Sequence, residues 1–581
     1  MVAFLRDGWQ HVAMHIDGVP NRTSRPTYLL RESYREGKKV RKRTLANLSA
    51  LSDEQIEAIR AVLAGHSVRP VEELWQITRS RSHGAVQAVR VAMQRLGFES
   101  LIASRPSPER DAVCAMVAAR VLAPHTKLAT TRWWHTTTLA EEYRMVDTDE
   151  TDLYAAMDWL LERQGQIERK LAARHLSEGA LALYDLSSSY FEGNCCPLAK
   201  IGYSRDGKRN TPQVNYGLLT TRAGCPVAIS VYQGNTSDAS TLMPQVAQLR
   251  EQFGLERLVL VGDRGMISHK AIETLRSLDG LAWITALKSA QIRTLVQGGE
   301  LQLDLFDERN LFEFSHPDFP GERLMACRNV ELGRLRAHKR QALLEATAQE
   351  LQKVQTRIEN GALAGRDKIG LRIGKVLNKY KVGKHFALSI EERALTFKRL
   401  EQQIAAEAAL DGLYVIRTSV PNQQMTSAEA VRSYKALAEV ERAFRSMKTI
   451  DLHIRPIHHR LESRVRTHIF LCMLAYYVEW HMREAWRELM FADEDLERKK
   501  HRDPVAAAGR SEAALEKVHT RKLKDGSPVH SFRTLLEDLS TIVRNTCEAR
   551  VGQRSGSSFQ MNTMPNPAQQ RAMQLLQSIT V

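Results

Sequence analysis

Three carboxylates, Asp185, Asp263 and Glu441, stand out for the segments that carry them. Asp185 follows the apolar run of LALYDLSSSYFEG and Asp263 that of LVLVGDRGM. Each is therefore expected at the C-terminal end of a strand, where a side chain emerges at the sheet edge. Glu441 lies in YKALAEVERAFRSMK, one heptad after Tyr434 and one heptad before Lys448. Seven helical residues turn the chain to within about 20° of two full circles, so a phenol, a carboxylate and an ammonium share one stripe. Oxygen-only ligands suit Mg2+ or Mn2+, which are commonly held by a few carboxylates plus a substrate phosphate. Two such ions about 4 Å apart activate an attacking oxygen and stabilise the leaving one in a phosphodiester displacement. The plain alternative for either aspartate is a residue that caps the following turn.

The Glu441 helix is expected to bury Ala436, Val440, Ala443, Phe444 and Met447, with Glu441 flanking that stripe. Glu439, about 200° away around the helix, is expected to face solvent. Tyr434 and Lys448 suit a DNA phosphate near the ions. Arg445, one turn on, is a candidate ion-pair partner for Glu441. Asp206 in a D-G turn and Asp238 at a helix start read as structural. Glu192 is close enough in sequence to Asp185 to support the site. In HIRPIHHRLESRVRTH, Arg460, Arg464 and Arg466 are better placed for phosphate than any histidine, and His453, His458, His459 and His468 lack a zinc spacing.

These residues need elements to hold them. At 581 residues the chain is too long for one core. A region at 1–51 forms a basic β-hairpin around Glu36-Gly37, its second arm carrying Lys38, Lys39, Arg41, Lys42 and Arg43. Residues 52–176 read as a helical, DNA-binding domain opened by the N-cap Ser52. Between 177 and 290 three strands precede an α-β-α-β run, an order that suggests a mixed sheet flanked by helices. Residues 291–410 interrupt it as a basic insertion, in which Leu344, Ala348, Leu351, Val354 and Ile358 follow 3-4 spacing, for a coiled coil or a simple surface helix. The sheet resumes over 411–495, with an apolar core helix from about 463 to 492, and 496–581 is a tail with one helix and a loose end.

Net charge is +16, and it is localised. Residues 19–50 carry nine Lys/Arg against two Glu, and 333–399 carry sixteen against six acids, which leaves the rest near neutral. Such patches point to a polyanion, most simply nucleic acid, unless they are merely solvated. Seven scattered cysteines with no C-x-x-C pair point to reduced thiols in a cytosolic protein, and Cys195-Cys196 reads as incidental. The longest greasy stretch, IFLCMLAYYVEW, is 12 residues, too short to span a membrane.

Asp185, Asp263 and Glu441, with Tyr434-x6-Glu441-x6-Lys448, resemble the DDE triad and Y-R-E-K signature of bacterial insertion-sequence transposases of the IS-four type. YFEG, SRDGKRNTPQVNYGLL, GNTSD, GDRGM and LDGLYVIRTS are similar to blocks of that family, so the resemblance covers about 20 to 490. Leu437 departs from it, standing where the family has arginine, and Arg442 or Arg445 could substitute in that phosphate contact. The resemblance implies an RNase H-like domain with Asp185 on the first strand, Asp263 after the fourth and Glu441 beyond an insertion, at separations of 78 and 178 residues. It also implies two Mg2+ ions, or Mn2+, that cut double-stranded DNA at the element's terminal inverted repeats. The released 3′-hydroxyl then attacks target DNA. A homodimer on DNA and a cytoplasmic, nucleoid-associated bacterial location are expected. The other readings are a nuclease of the same fold without strand transfer, and a DNA-binding protein that has lost catalysis.

Overall fold

The alternation in TYLLRESYRE and KVRKRTLAN predicts a hairpin, and the computed structural model contains it. It describes residues 11–581 apart from 23, 67–74, 194, 209, 300, 302–305, 307–309, 496–501, 507–508 and 550–557. β2 (Thr27–Glu36) pairs antiparallel with β3 (Lys39–Asn47) across a turn in which Gly37 takes φ +63°, a conformation that favours glycine. A strand not expected from the sequence, β1 (His11–Val19), covers the other edge of β2. The helix Asp53–Leu63 follows, opened by a reciprocal capping box between Ser52 and Gln55. These elements belong to one compact unit, Met1–Ser80 with Arg544–Thr563; the remainder, Arg81–Val543 with Met564–Val581, forms a second.

After β4 (Trp75–Ser82), the second unit is built on an eight-stranded mixed sheet. β5 (Leu181–Tyr190), β6 (Gln213–Thr221) and β7 (Pro226–Gln233) form an antiparallel meander. β8 (Leu258–Val261) then returns parallel to β5 on its free edge, and β9 (Leu281–Ala286) lies parallel to β8. Parallel neighbours need crossovers, supplied by the helices Asp238–Ala247 and His269–Arg276. The segment expected to interrupt the sheet divides in two. Its first part supplies β10 (Leu311–Phe314) and β11 (Arg323–Arg328) to the sheet itself. Its second part is a helical hairpin, Val330–Glu359 and Arg366–Tyr380, packed on the β-hairpin of β12 (Phe386–Ile390) and β13 (Leu395–Arg399) around a separate core. Leu344, Leu351, Val354 and Ile358 face that core, so their 3-4 spacing marks a helical hairpin with a core of its own. β14 (Leu413–Thr418) completes the order β10-β11-β14-β9-β8-β5-β6-β7.

The helix Glu462–Ala485 is apolar on most sides and is buried accordingly, packed against β7 and three helices between 84 and 161. The helices from 84 to 175 share one continuous core with the sheet. Part of the Ser/Gly-rich stretch expected to be loose, 550–557, lies outside the described residues, and described parts of the tail pack in the core. Phe532, Leu535, Leu539, Ala572 and Leu576 enter the same core, on helices Phe532–Leu539 and Pro567–Leu576. In the first unit, β15 (Val543–Ala549) lies between β16 (Ser558–Asn562) and β4. Spacing in the tail revealed one helix because the other two, Glu512–Thr520 and Pro567–Leu576, are short and carry few apolar residues.

Candidate active site

Strand register sets the first two carboxylates side by side. β5 and β8 pair in parallel with Leu181 opposite Val259, Ala182 opposite Leu260 and Leu183 opposite Val261. Two residues further on, at the same offset, stand Asp185, still on β5, and Asp263, just past the end of β8. Asp185 lies in the middle of β5, not at its end as the apolar run suggested. It is nevertheless open to the site because β8 has ended beside it. Gly217 on β6 contributes to this placement: a Cβ there would overlap the ring of Tyr184, whose hydroxyl hydrogen-bonds that of Tyr232.

Glu441 arrives on a broken helix. The expected continuous stripe is interrupted at Ala436, which ends the helix Ser427–Lys435 and starts Leu437–Arg445, and Ser446–Ile450 is a π turn. The break redirects the chain. The first piece packs on β9 and β14, and the second on β5, with Phe444 edge-on to Tyr216 of β6. Tyr434 thereby reaches Asp263, its hydroxyl donating to Oδ1 at 3.2 Å. Val440, Ala443, Phe444 and Met447 are buried, as their spacing predicts, and Glu441 is exposed beside them. Glu439 does not face solvent freely: it is half-buried, its Cβ lies against the Gly224 turn, and Arg442 bonds it at 2.5 Å. Leu437 is half-buried against the main core, so an apolar residue is accommodated there by packing.

Burial pushes the Asp185 carboxyl up to about 7. The Leu186 amide, donating to Oδ1 at 2.8 Å, and the Arg205 guanidinium oppose this, while the charges of Asp263 and Glu441 add to it. Asp263 and Glu441 therefore both act on Asp185 across the site. They are not gathered as tightly as a single-ion cluster: among the described residues, the only three ligand side chains with atoms all within 4.8 Å are His175, Cys225 and His481.

Residues 199–478 match the family model of the transposase DDE domain, and residues 18–73 that of the N-terminal domain of IS1634 family transposases. The two matches together span more than half of the sequence. The chain belongs to the DDE transposases of insertion sequences. No curated protein matches it. A cryo-EM structure of a piggyBac transposase synaptic complex with hairpin DNA aligns at a TM-score of 0.31 and 9% identity, over 78% of this chain and 77% of that one. The DDE match begins after Asp185, so that residue rests on the register alone.

DDE transposases depend on divalent metal, and this site fits one: its donors are all oxygens, and the carboxylates around Asp185 repel one another against the pull of the Arg205 guanidinium. Arg205, which spacing did not single out, hydrogen-bonds Asp238 Oδ1 at 2.5 Å. Asp238, at a helix start as expected, also borders the site: a Cβ on Gly265 would sit 3.8 Å from both Asp238 Oδ2 and Asp263 Oδ2. Lys448 is buried, 3.1 Å from Asp206 Oδ1, which Arg455 also meets at 2.6 Å. Asp206 Oδ2 accepts the Tyr190 amide at the end of β5. Lys448 thus ties the Glu441 helix to the loop that presents Arg205 beside Asp185.

Of the other cations, Arg445 and Arg460 are exposed. Arg464 is half-buried, 3.7 Å from Asp158 and over the Tyr154 ring, and Arg466 bonds Glu462 and the Val231 carbonyl. Glu192 is exposed, and His468 is buried with Nε2 2.9 Å from the Ile454 carbonyl. In the first unit every side chain of β3 is exposed, yet Arg41, Lys42 and Arg43 pair with Glu36, Asp17 and Glu32. On the inserted hairpin, Lys368, Arg372, Lys375 and Lys379 recur at 4-3-4 spacing on one exposed face. Among the described residues no helix is long and apolar enough to cross a membrane.

Proposed function

We propose that Asp185, Asp263 and Glu441 hold two Mg2+ ions, with Mn2+ as an alternative. At this centre the transposase cuts DNA at the terminal inverted repeats of its element and joins the freed 3′ ends to target DNA. The observation that carries this reading is the shared offset of Asp185, on β5, and Asp263, two residues past the end of its parallel neighbour β8, with the Glu441 helix packed on β5. The order of β5 to β9, an antiparallel meander followed by two parallel strands on the side of the first, supports the RNase H-like reading of the fold.

When bound, the ions supply the charge that activates an attacking oxygen and stabilises the leaving one. The chain supplies position. Tyr434 holds Asp263 by its hydroxyl, and the Leu186 amide fixes the Asp185 carboxylate. Arg205 orients Asp238 at the rim, and Lys448 with Asp206 fixes the loop beneath it. Exposed Arg445 and Arg460, the Lys38-Lys39 end of the first hairpin, and the Lys368–Lys379 stripe bind phosphates along the duplex. Two ends and one site per chain require at least two copies in the complex, so a homodimer is the smallest assembly that completes the reaction.

In Asp263→Ala, cleavage of end DNA in Mg2+ is expected to be lost while binding of the same DNA stays within about twofold. Cleavage at the wild-type rate would overturn the assignment. A joining assay with pre-cut ends reads the transfer step separately.

A further inference from the structure

Away from the carboxylates, three side chains of a different chemistry converge. His175 ends the helix Gln164–His175, Cys225 closes the β6–β7 turn, and His481 lies on Glu462–Ala485. One ligand atom from each lies within 4.8 Å of the other two, and Cys225 Sγ is 3.9 Å from His481 Nε2. A tetrahedral zinc ion, with bonds of about 2.0 Å to nitrogen and 2.3 Å to sulfur, sets its ligand atoms roughly 3.3–3.6 Å apart, so small side-chain shifts close the set. Cys225 and His481 are buried and His175 is half-buried. Tyr477 Oη stands 3.0 Å from His175 Nε2, so the same corner holds an oxygen. Nitrogen and thiolate ligands select zinc-like ions, whereas the carboxylate centre selects hard ones.

We propose that His175, Cys225 and His481 form a structural site for Zn2+, with the fourth position taken by an oxygen from Tyr477 or water. On binding, the Cys225 thiol proton leaves to solvent and the thiolate coordinates the ion. The site ties together three segments remote in sequence. One of them matters for catalysis: in the Thr221–Cys225 turn Gly224 has φ +87° and packs so closely on Glu439 that a Cβ would lie 2.9 Å from the Cβ of that residue. Fixing this turn therefore steadies the helix that presents Glu441.

The test is metal content of the full chain, purified without chelator and dialysed, followed by Co2+ substitution. About one zinc per chain is expected, and the Co2+ protein is expected to show a thiolate-to-cobalt charge-transfer band. Both are lost in Cys225→Ser and in His481→Gln. Both persist in the double variant Asp185→Asn/Asp263→Ala and in Cys196→Ser. Zinc retained by Cys225→Ser at the wild-type level overturns the site. So does a wild-type chain that neither retains zinc nor gives the thiolate band with Co2+, a readout that does not depend on any variant folding.

Discussion

Glu439 and Glu441 are two residues apart on one helix, and their surroundings assign them opposite tasks. Glu439 is bonded to Arg442 and wedged against the Gly224 turn, whereas Glu441 stands exposed yet close enough to raise the Asp185 carboxyl. Glu441→Gln is expected to slow single-turnover cleavage of end DNA by about 10³-fold or more, since ligands of one centre act as a unit. Glu439→Gln should stay within about tenfold of wild type. The reverse ranking would move the third ligand to Glu439. Asp185, Asp263 and Glu441 could be picked from the sequence because apolar strands and a helical stripe surround them. Arg205 could not, because its placement depends on Asp238, 33 residues away, and on a loop shaped by buried Asp206.

At the scale of elements, the break at Ala436 and the π turn after Arg445 are what the heptad spacing concealed. A continuous helix would carry Tyr434, Glu441 and Lys448 on one stripe; instead each meets a different acid or open space. The π turn is held from beneath by a buried network in which Ser446 donates to Glu479 at 2.8 Å and Arg483 bonds both Glu479 and Asp451. Burial raises the Glu479 carboxyl to about 7 against the pull of Arg483. Arg483 and Glu479 are an i,i+4 pair legible in the sequence, but the links to Ser446 and Asp451 have no local signature, being 33 and 32 residues apart. Lys448→Met is expected to lower stability by about 1–3 kcal/mol, the cost of leaving buried Asp206 short of a partner, softened because Arg455 remains. Urea denaturation reads this, and the salt dependence of DNA binding should not change. Unchanged stability with a salt slope reduced by about one would instead make Lys448 a phosphate contact.

For the whole molecule, counting charges overstates what is free to meet DNA. The basic hairpin has Arg41, Lys42 and Arg43 already paired with acids of its own sheet, while Lys368, Arg372, Lys375 and Lys379 share an exposed face of the insertion. Replacing those four by glutamine is expected to flatten the dependence of log affinity on log salt by about 3.6, at about 0.9 per phosphate contact. An unchanged slope would leave that face in solvent. The sheet order was legible in outline, three strands and then two, because apolar runs and turns are local signals. β10 and β11 escaped notice because each is short and completes the sheet only by pairing with β14, in a part of the chain dominated by charge.

Asp185 lies outside the matched DDE domain and is assigned by strand register, so substituting it tests the carboxylate centre most directly. The measurement is single-turnover cleavage, in Mg2+, of DNA carrying the element's end by Asp185→Asn, with binding of the same DNA measured alongside. The account expects cleavage to fall by about 10³-fold or more with binding retained. Cleavage within about tenfold of wild type would contradict it.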